Sequence, residues 1–281
     1  MNKTGCLLIF KQLQSIHLGI RGYGVLSETR IFITGQTMWG ALTNTYGKSK
    51  KWSNGDFGDN ENKKIFETVT CFYPSFSENY NKVMLPKFKN GEFYLGGHSE
   101  KKFRNEFVDS FISTAIQPVS LTAKDESLHE IEVILPKGKE NKKQLYWSGL
   151  LWIKKDIKED FLKEKETEII VGGDSRYGLG RLRLEKVETT GDEVLKKWGI
   201  REVDNLAFNL LPEEERNEKT RIYNFLENKG YNFEGKLELF ADFNFRNVVV
   251  PNADKPKLYI VPGSKVEEPK DGLKLNKSVY E

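Results

Sequence analysis

The segment Gly172-Gly-Asp-Ser-Arg-Tyr-Gly-Leu-Gly180 places four glycines within nine residues, directly ahead of Arg181 and Arg183. Glycine lets a polyanion's backbone approach the chain closely, and guanidinium groups can fork onto phosphate. Tyr177 adds a flat face on which a base can stack. Two nucleotide motifs share this look, and both fail on spacing. A phosphate-binding NTPase loop needs Gly-Lys-Ser/Thr where Gly178-Leu179-Gly180 stands. The dinucleotide fingerprint, started at Gly178 and Gly180, needs a third glycine where Arg183 stands. What remains is a backbone-binding loop or a plain glycine turn with solvated arginines.

Acid–base chemistry has few candidates. The histidines are His17, His98 and His129. His17 sits within the first apolar stretch, where a hydrogen-bonded structural role is the simpler reading. His98 follows Gly96-Gly97 beside Lys101 and Lys102. No spacing of His, Cys, Asp and Glu resembles a metal cage, and Cys6 and Cys71 are too few for a zinc site or a disulfide framework. Basic residues cluster at Lys48–Lys51, Lys101–Arg104 and Lys137–Lys143, each near an aromatic (Trp52, Phe103, Tyr146). That pairing suits single-stranded RNA, and it equally suits solvated loops over a β-rich core.

The elements that position these groups belong to a globular chain. It has 281 residues, 38% hydrophobic and 30% charged, with a net charge of +3. So small a charge excludes a polycation that binds phosphate everywhere, and any nucleic-acid surface must be local. The longest apolar runs, such as Cys6–Phe10, are far short of the roughly 20 residues of a membrane helix and too short for a secretory signal. A reduced, cytoplasmic protein is expected.

Apolar residues of both parities make Gly5–Ile20 a strand buried on both faces. Met38, Ala41, Leu42 and Tyr46 recur at helical spacing over Thr37–Tyr46, with Thr34 or Gln36 as cap and Gly47 as stop. Residues 48–64 read as a mobile loop, Phe66–Phe76 and Val83–Gly96 as irregular strands, and Asn90-Gly91 as a hairpin turn. Strands are predicted at His129–Leu135, Gln144–Ile153 and Arg181–Val187. Helices are predicted at Asp156–Glu168, capped by Asp156, and at Asp192–Trp198. Leu237–Val250 forms a further compact piece, and the tail from Gly263 carries little to pack. Strand, helix, strand, strand, helix, strand is the ferredoxin-like order. The expectation is an α+β fold and a single domain over 1–281: a ferredoxin-like, RNA-recognition-type core with a large insertion at 48–128 and a C-terminal extension at 190–281.

Three segments carry a family resemblance. Gly172–Leu184 resembles the glycine-rich loop and following strand of the RAMP superfamily, the RNA-binding subunits of type III CRISPR effector complexes. Ile31-Phe-Ile-Thr-Gly-Gln-Thr-Met-Trp-Gly-Ala-Leu42 is similar to that family's extended pair, Pro-Gly-Ser/Thr and short helix, with Thr34 in place of proline and Met38-Trp39 in place of Leu-Arg/Lys. Thr114–Val133, through Leu121-Thr-Ala-Lys-Asp-Glu-Ser-Leu-His-Glu-Ile-Glu-Val133, resembles the family's Thr-Ala segment leading to a Glu-Val strand. The matches fall in family order over the first two-thirds of the chain; the region after Val187 matches nothing nameable.

The resemblance implies a guide-RNA-binding subunit, backbone-type or 5′-handle-capping, partnered with other type III effector subunits in antiviral defence and needing no membrane or cofactor. It implies RNA contacts at Gly35 and Gln36 and, on the loop, at Gly172, Gly173, Ser175, Arg176, Tyr177, Gly178, Gly180 and Arg181. Family members that cut target RNA use an aspartate between the first strand and first helix, where this chain has only Glu28; Asp109 and Asp125 lie elsewhere. Members that process guide RNA use a histidine near the first helix, and none lies within it here. No catalytic residue is therefore assigned. The alternatives are an RNA-cleaving member, through His98, Glu28 or His17, and a protein–protein scaffold.

Overall fold

The computed structural model describes residues 3–203, 206–212, 219–240, 243–244, 252–253 and 256–281. Its centre is an antiparallel sheet and two helices, in the chain order β1 (Lys3–Gln12), α1 (Gly35–Ser49), β2 (Tyr73–Ser75), β3 (Tyr146–Lys154), α2 (Lys155–Phe161) and β4 (Arg181–Thr189). Across the sheet the order is β4-β1-β3-β2, with a short strand Glu168–Ile170 outside β4. This is the ferredoxin-like arrangement within a mixed, strand-rich α+β fold.

β1 is central because it is apolar on both faces: Cys6 through Phe10 are wholly buried. It ends at Gln12 rather than Ile20. α1 begins at Gly35, where the Thr34 hydroxyl accepts from the Thr37 N–H. Its buried stripe is Met38, Ala41, Leu42 and Tyr46, and burying Met38 and Leu42 is worth about 1.5–3 kcal/mol each. Tyr46 meets Phe161 of α2 edge-on at 5.2 Å, which locks the two helices together. Gly47 is no stop. It lies inside the helix, where a Cβ would meet Phe57 and Trp52 at 2.5–2.6 Å, so its role is close packing.

Several expectations are corrected. The second core strand is Tyr73–Ser75, not His129–Leu135. The chain therefore re-enters the core sheet within the stretch read as insertion, and a longer excursion runs from β2 to β3. His129–Ile134 belongs to a separate sheet ordered Gly19–Tyr23, Leu26–Thr29, His129–Ile134, Val108–Ser113. Residues 48–64 fold into two short helices, Asn54–Gly58 and Asn60–Lys63, the first with a reciprocal Ser53–Asp56 capping box. α2 stops at Phe161, and Asp156 lies in its first turn rather than at its cap, which is Lys154. The Asn90-Gly91 hairpin is present between Pro86–Lys89 and Glu92–Leu95, with both turn residues at positive φ. The helix at Asp192–Lys197 is also present.

The tail is the largest departure. Val266, Leu273, Leu275 and Tyr280 are buried. They lie in strands of two further sheets, Val266 in one of three strands and the rest in one of seven. The seven-stranded sheet docks on the core: Trp152 of β3 packs edge-on to Phe208 at 4.7 Å and donates to Glu202 at 2.8 Å. Asn224, fully buried, accepts from the Cys71 N–H and donates to the Tyr280 hydroxyl. Of the compact piece read at Leu237–Val250, residues 237–240 form a strand of that sheet, while 241–242 and 245–250 lie outside the described residues, as does the polar stretch 213–218. No described helix is long and apolar enough to cross a membrane.

Candidate functional site

The glycine loop follows Glu168–Ile170 and turns back into β4. Its backbone takes left-handed conformations at Gly172 (φ 79°), Asp174 (55°), Gly178 (79°) and Gly180 (95°). At two of these only glycine fits. A Cβ on Gly172 would stand 2.1 Å from the His17 carbonyl oxygen, and one on Gly180 would stand 2.2 Å from that of Val171. Close approach here is to the protein's own backbone: Gly173 N–H donates to His17 O at 3.0 Å, and Gly180 N–H donates to Ser15 O at 2.8 Å. Tyr177 and Gly178 donate to Asp174 and Ser175 within the loop. Those four N–H groups are thus already committed.

The tip, Ser175–Tyr177, is a single 3-10 turn standing in solvent. Arg176 is exposed and has no ion-pair partner among the described residues. Tyr177 is 63% exposed and leans toward exposed Phe111, with ring centroids 6.3 Å apart. Arg181 is held by Glu168 at 2.6 Å and Arg183 by Glu185 at 2.7 Å. Of the three arginines, one is free.

The base of the loop faces α1. Between them runs a groove of about 550 Å³, lined by Gly172 and Gly173 on one wall and by Gln36, Thr37, Gly40 and Asn44 of α1 on the other, with Gly19 and Arg30 also lining it. The structure thus brings Gln36 together with Gly172 and Gly173. Gly35 is corrected: it is buried, its N–H donates to the Ser278 hydroxyl at 2.8 Å, and a Cβ there would meet Ser278 at 2.6 Å. With Gly35 N–H given to Ser278 and Thr37 N–H given to Thr34, the start of α1 has spent donors that an anion would use. Gly40 and Asn44 were missed. The signal was available, because 36, 40 and 44 share the helix face opposite Met38, Ala41 and Leu42.

The histidines fall in contrasting places. His17 is buried; its Nδ1–H donates to the Glu132 carbonyl at 2.7 Å, which leaves Nε2 to accept from Ser27 Oγ at 3.3 Å. It is a structural staple holding the loop's wall to the neighbouring sheet. His129 is exposed at the end of its strand. His98 is half-buried against Phe76, and its Nδ1 is buried without a hydrogen-bond partner. Burial, then Lys102 and Lys143, holds its imidazole below the usual histidine range. It lines a separate cleft of about 410 Å³ with Lys101, Lys102 and Asn105.

Glu28 is tied to Arg104 at 3.1 Å; the same guanidinium binds Glu100 and Glu132 and donates to the Thr29 carbonyl. Two of the three aromatics read beside basic clusters are unavailable for stacking on RNA: Phe103 is fully buried, and Trp52 is wedged between Tyr46 and Phe57. Among the described residues, no three His, Cys, Asp or Glu side chains gather to hold a metal.

No protein-family model and no curated protein sequence matches the chain. Solved structures do. A chain of the cryo-EM structure of the type III-B Cmr-beta bound to cognate target RNA and AMPPnP is 13% identical, with 93% of this chain and 86% of that chain covered and a TM-score of 0.58. A chain of the corresponding structure with cognate target RNA alone is 12% identical, with the same coverage and score. At such identity the likeness is one of fold, and the fold of this chain is that of a type III-B Cmr-beta component.

Proposed function

We propose that this chain is a guide-RNA-binding, noncatalytic subunit of a type III CRISPR ribonucleoprotein, working beside other effector subunits. The observation that carries this reading is a ferredoxin-like core on which one loop walls an open groove with Gly172 and Gly173 and, at its tip, presents an arginine unpaired among the described residues and a tyrosine beside a second exposed aromatic. Arg176 supplies a charge with no internal partner, Tyr177 and Phe111 supply stacking faces, and the groove lies alongside. The three family-like segments and the fold shared with Cmr-beta chains support it. The noncatalytic part rests on how the candidate groups are used: Glu28 neutralises Arg104, and both ring nitrogens of His17 are engaged. A general acid or base must reach the scissile linkage, and these two are turned inward.

One observation favours a second reading. His98, with its unpaired buried nitrogen between Lys102 and Lys143, has the makings of a neutral base beside cations, as an RNA-cleaving member would need.

Purification with the products of neighbouring genes, followed by sequencing of bound RNA, tests the assignment. Repeat-derived RNA of uniform 5′ end is expected; RNA-free complexes would favour a scaffold. At residue level, Arg176→Ala should weaken binding of single-stranded RNA of any sequence and flatten the log–log salt dependence by about 0.7. Arg181→Ala should change the slope less, since Glu168 already neutralises that charge. Cleavage of guide or target RNA that His98→Ala abolishes without loss of binding would replace the noncatalytic reading by the enzymatic one.

A further inference from the structure

The groove beside the glycine loop is polar, yet among the described residues it carries no free positive charge. Among the described residues Arg30 is the single charged residue in its lining, and its guanidinium is paired with Glu238, one nitrogen donating to Oε2 at 3.0 Å and the other to Oε1. The pair leaves the described lining of the groove electrically neutral. The N–H groups of Gly173, Gly35 and Thr37 are consumed by His17, Ser278 and Thr34. Moving a phosphate from water into such a place would strand an anion without a counter-charge, which is costly.

What the groove does offer is neutral hydrogen-bonding capacity. The amides of Gln36 and Asn44 are exposed and make no hydrogen bond among the described residues. They stand on one face of α1, eight residues and so about 12 Å apart along the axis, with Gly40 midway. A Cβ on Gly40 would meet nothing within 4 Å, so the space between the two amides is open. An amide presents a donor and an acceptor side by side, which matches the paired donor and acceptor on a base edge.

We infer that this groove receives an unstacked RNA base, bracketed by Gln36 and Asn44 over Gly40, while the phosphates stay outside on Arg176. The inference rests on the RNA-binding reading and divides that site into a neutral, base-reading interior and a charged rim.

The test measures binding of oligo(A), oligo(C), oligo(U) and an abasic strand of equal length to the full chain, across a salt series. Wild type should prefer one base by about tenfold over another and bind the abasic strand most weakly. Gly40→Leu projects into the groove from a position where a Cβ meets nothing within 4 Å, and it replaces a poor helix former, so it should melt no lower than wild type. It should abolish the preference at an unchanged salt slope, as should Gln36→Ala combined with Asn44→Ala, two exposed positions whose loss cannot unfold the helix. An equal loss on every strand, abasic included, with a shallower salt slope would mean that phosphate occupies the groove and would overturn the inference. Unaltered preference in both variants would overturn it too. Failure of wild type to bind any strand would overturn the RNA-binding reading itself.

Discussion

The glycine-loop groove and the His98 cleft are both polar hollows on one chain, and their charges have opposite fates. In the groove the cation is matched: Arg30 by Glu238, with Arg181 paired by Glu168 just beyond it. Around His98 the basic segments are only partly matched. Arg104 is absorbed by three glutamates and Lys139 faces Asp109 at 3.5 Å. Lys102 and Lys143 are close enough to disfavour a proton on the imidazole. A count of lysines and arginines along the chain does not distinguish these cases. What a surface can bind depends on the charge left over after internal pairing.

The largest loss is expected at Gly172, in the wall of the groove. Gly172→Ala combines positive φ with a Cβ driven into the His17 carbonyl, and should cost about 3 kcal/mol, read as a fall in the melting midpoint. Gly178 has the same φ and no neighbour within 4 Å, so Gly178→Ala should cost only about 1 kcal/mol. Equal losses at the two positions would show that backbone conformation, not contact with His17, makes the groove wall. Next in size is Ser278→Ala, which orphans the buried Gly35 N–H and should cost about 1–2 kcal/mol by the same measurement.

The cleft is probed by pH, with a smaller effect. His98 is held below its ordinary value of 6.5, so the folded chain takes up that proton less readily than the unfolded chain. The group's contribution to stability is therefore full above that ordinary value and declines as pH falls below it toward the depressed value of the folded chain. Melting midpoints measured from about pH 7.5 down to about pH 5 should fall less steeply for His98→Asn than for wild type. A parallel pair of curves would place the ring in an ordinary aqueous setting.

Part of this architecture was legible in the residues and part was not. β1 announced itself because Leu7 to Phe10 are apolar on both parities, the mark of a central strand. The loop was legible because four glycines and a tyrosine are hard to place anywhere else. β2 was legible only as part of an irregular strand over Phe66–Phe76; its place in the core sheet was not, because it is three residues long with Pro74 in its middle, tolerable on the sheet's edge and too short to show a period. His129–Ile134 alternates well, but alternation reports one buried face and not which sheet the strand joins. Gly47 looked like a stop because a glycine required by Phe57 and Trp52 is spelled the same way as one required by a turn. At the site, the tip residues Ser175–Tyr177 were readable. The burial of Gly35 was not, since its partner Ser278 lies 243 residues away.

That distance bears on how the chain reaches its final state. The first helix can coil early from local contacts, yet the N–H at its start donates to Ser278, and the carbonyls of Glu67 and Val69 accept from the N–H groups of Lys277 and Ser278. Loop closure on that scale is slow and depends on non-local pairing. During synthesis the first two-thirds of the chain would emerge with the start of the helix and the carbonyls of Glu67 and Val69 still without these partners until Lys277 and Ser278 emerge. The groove wall formed by the start of α1 is thereby finished only once residues 277–278 have been made.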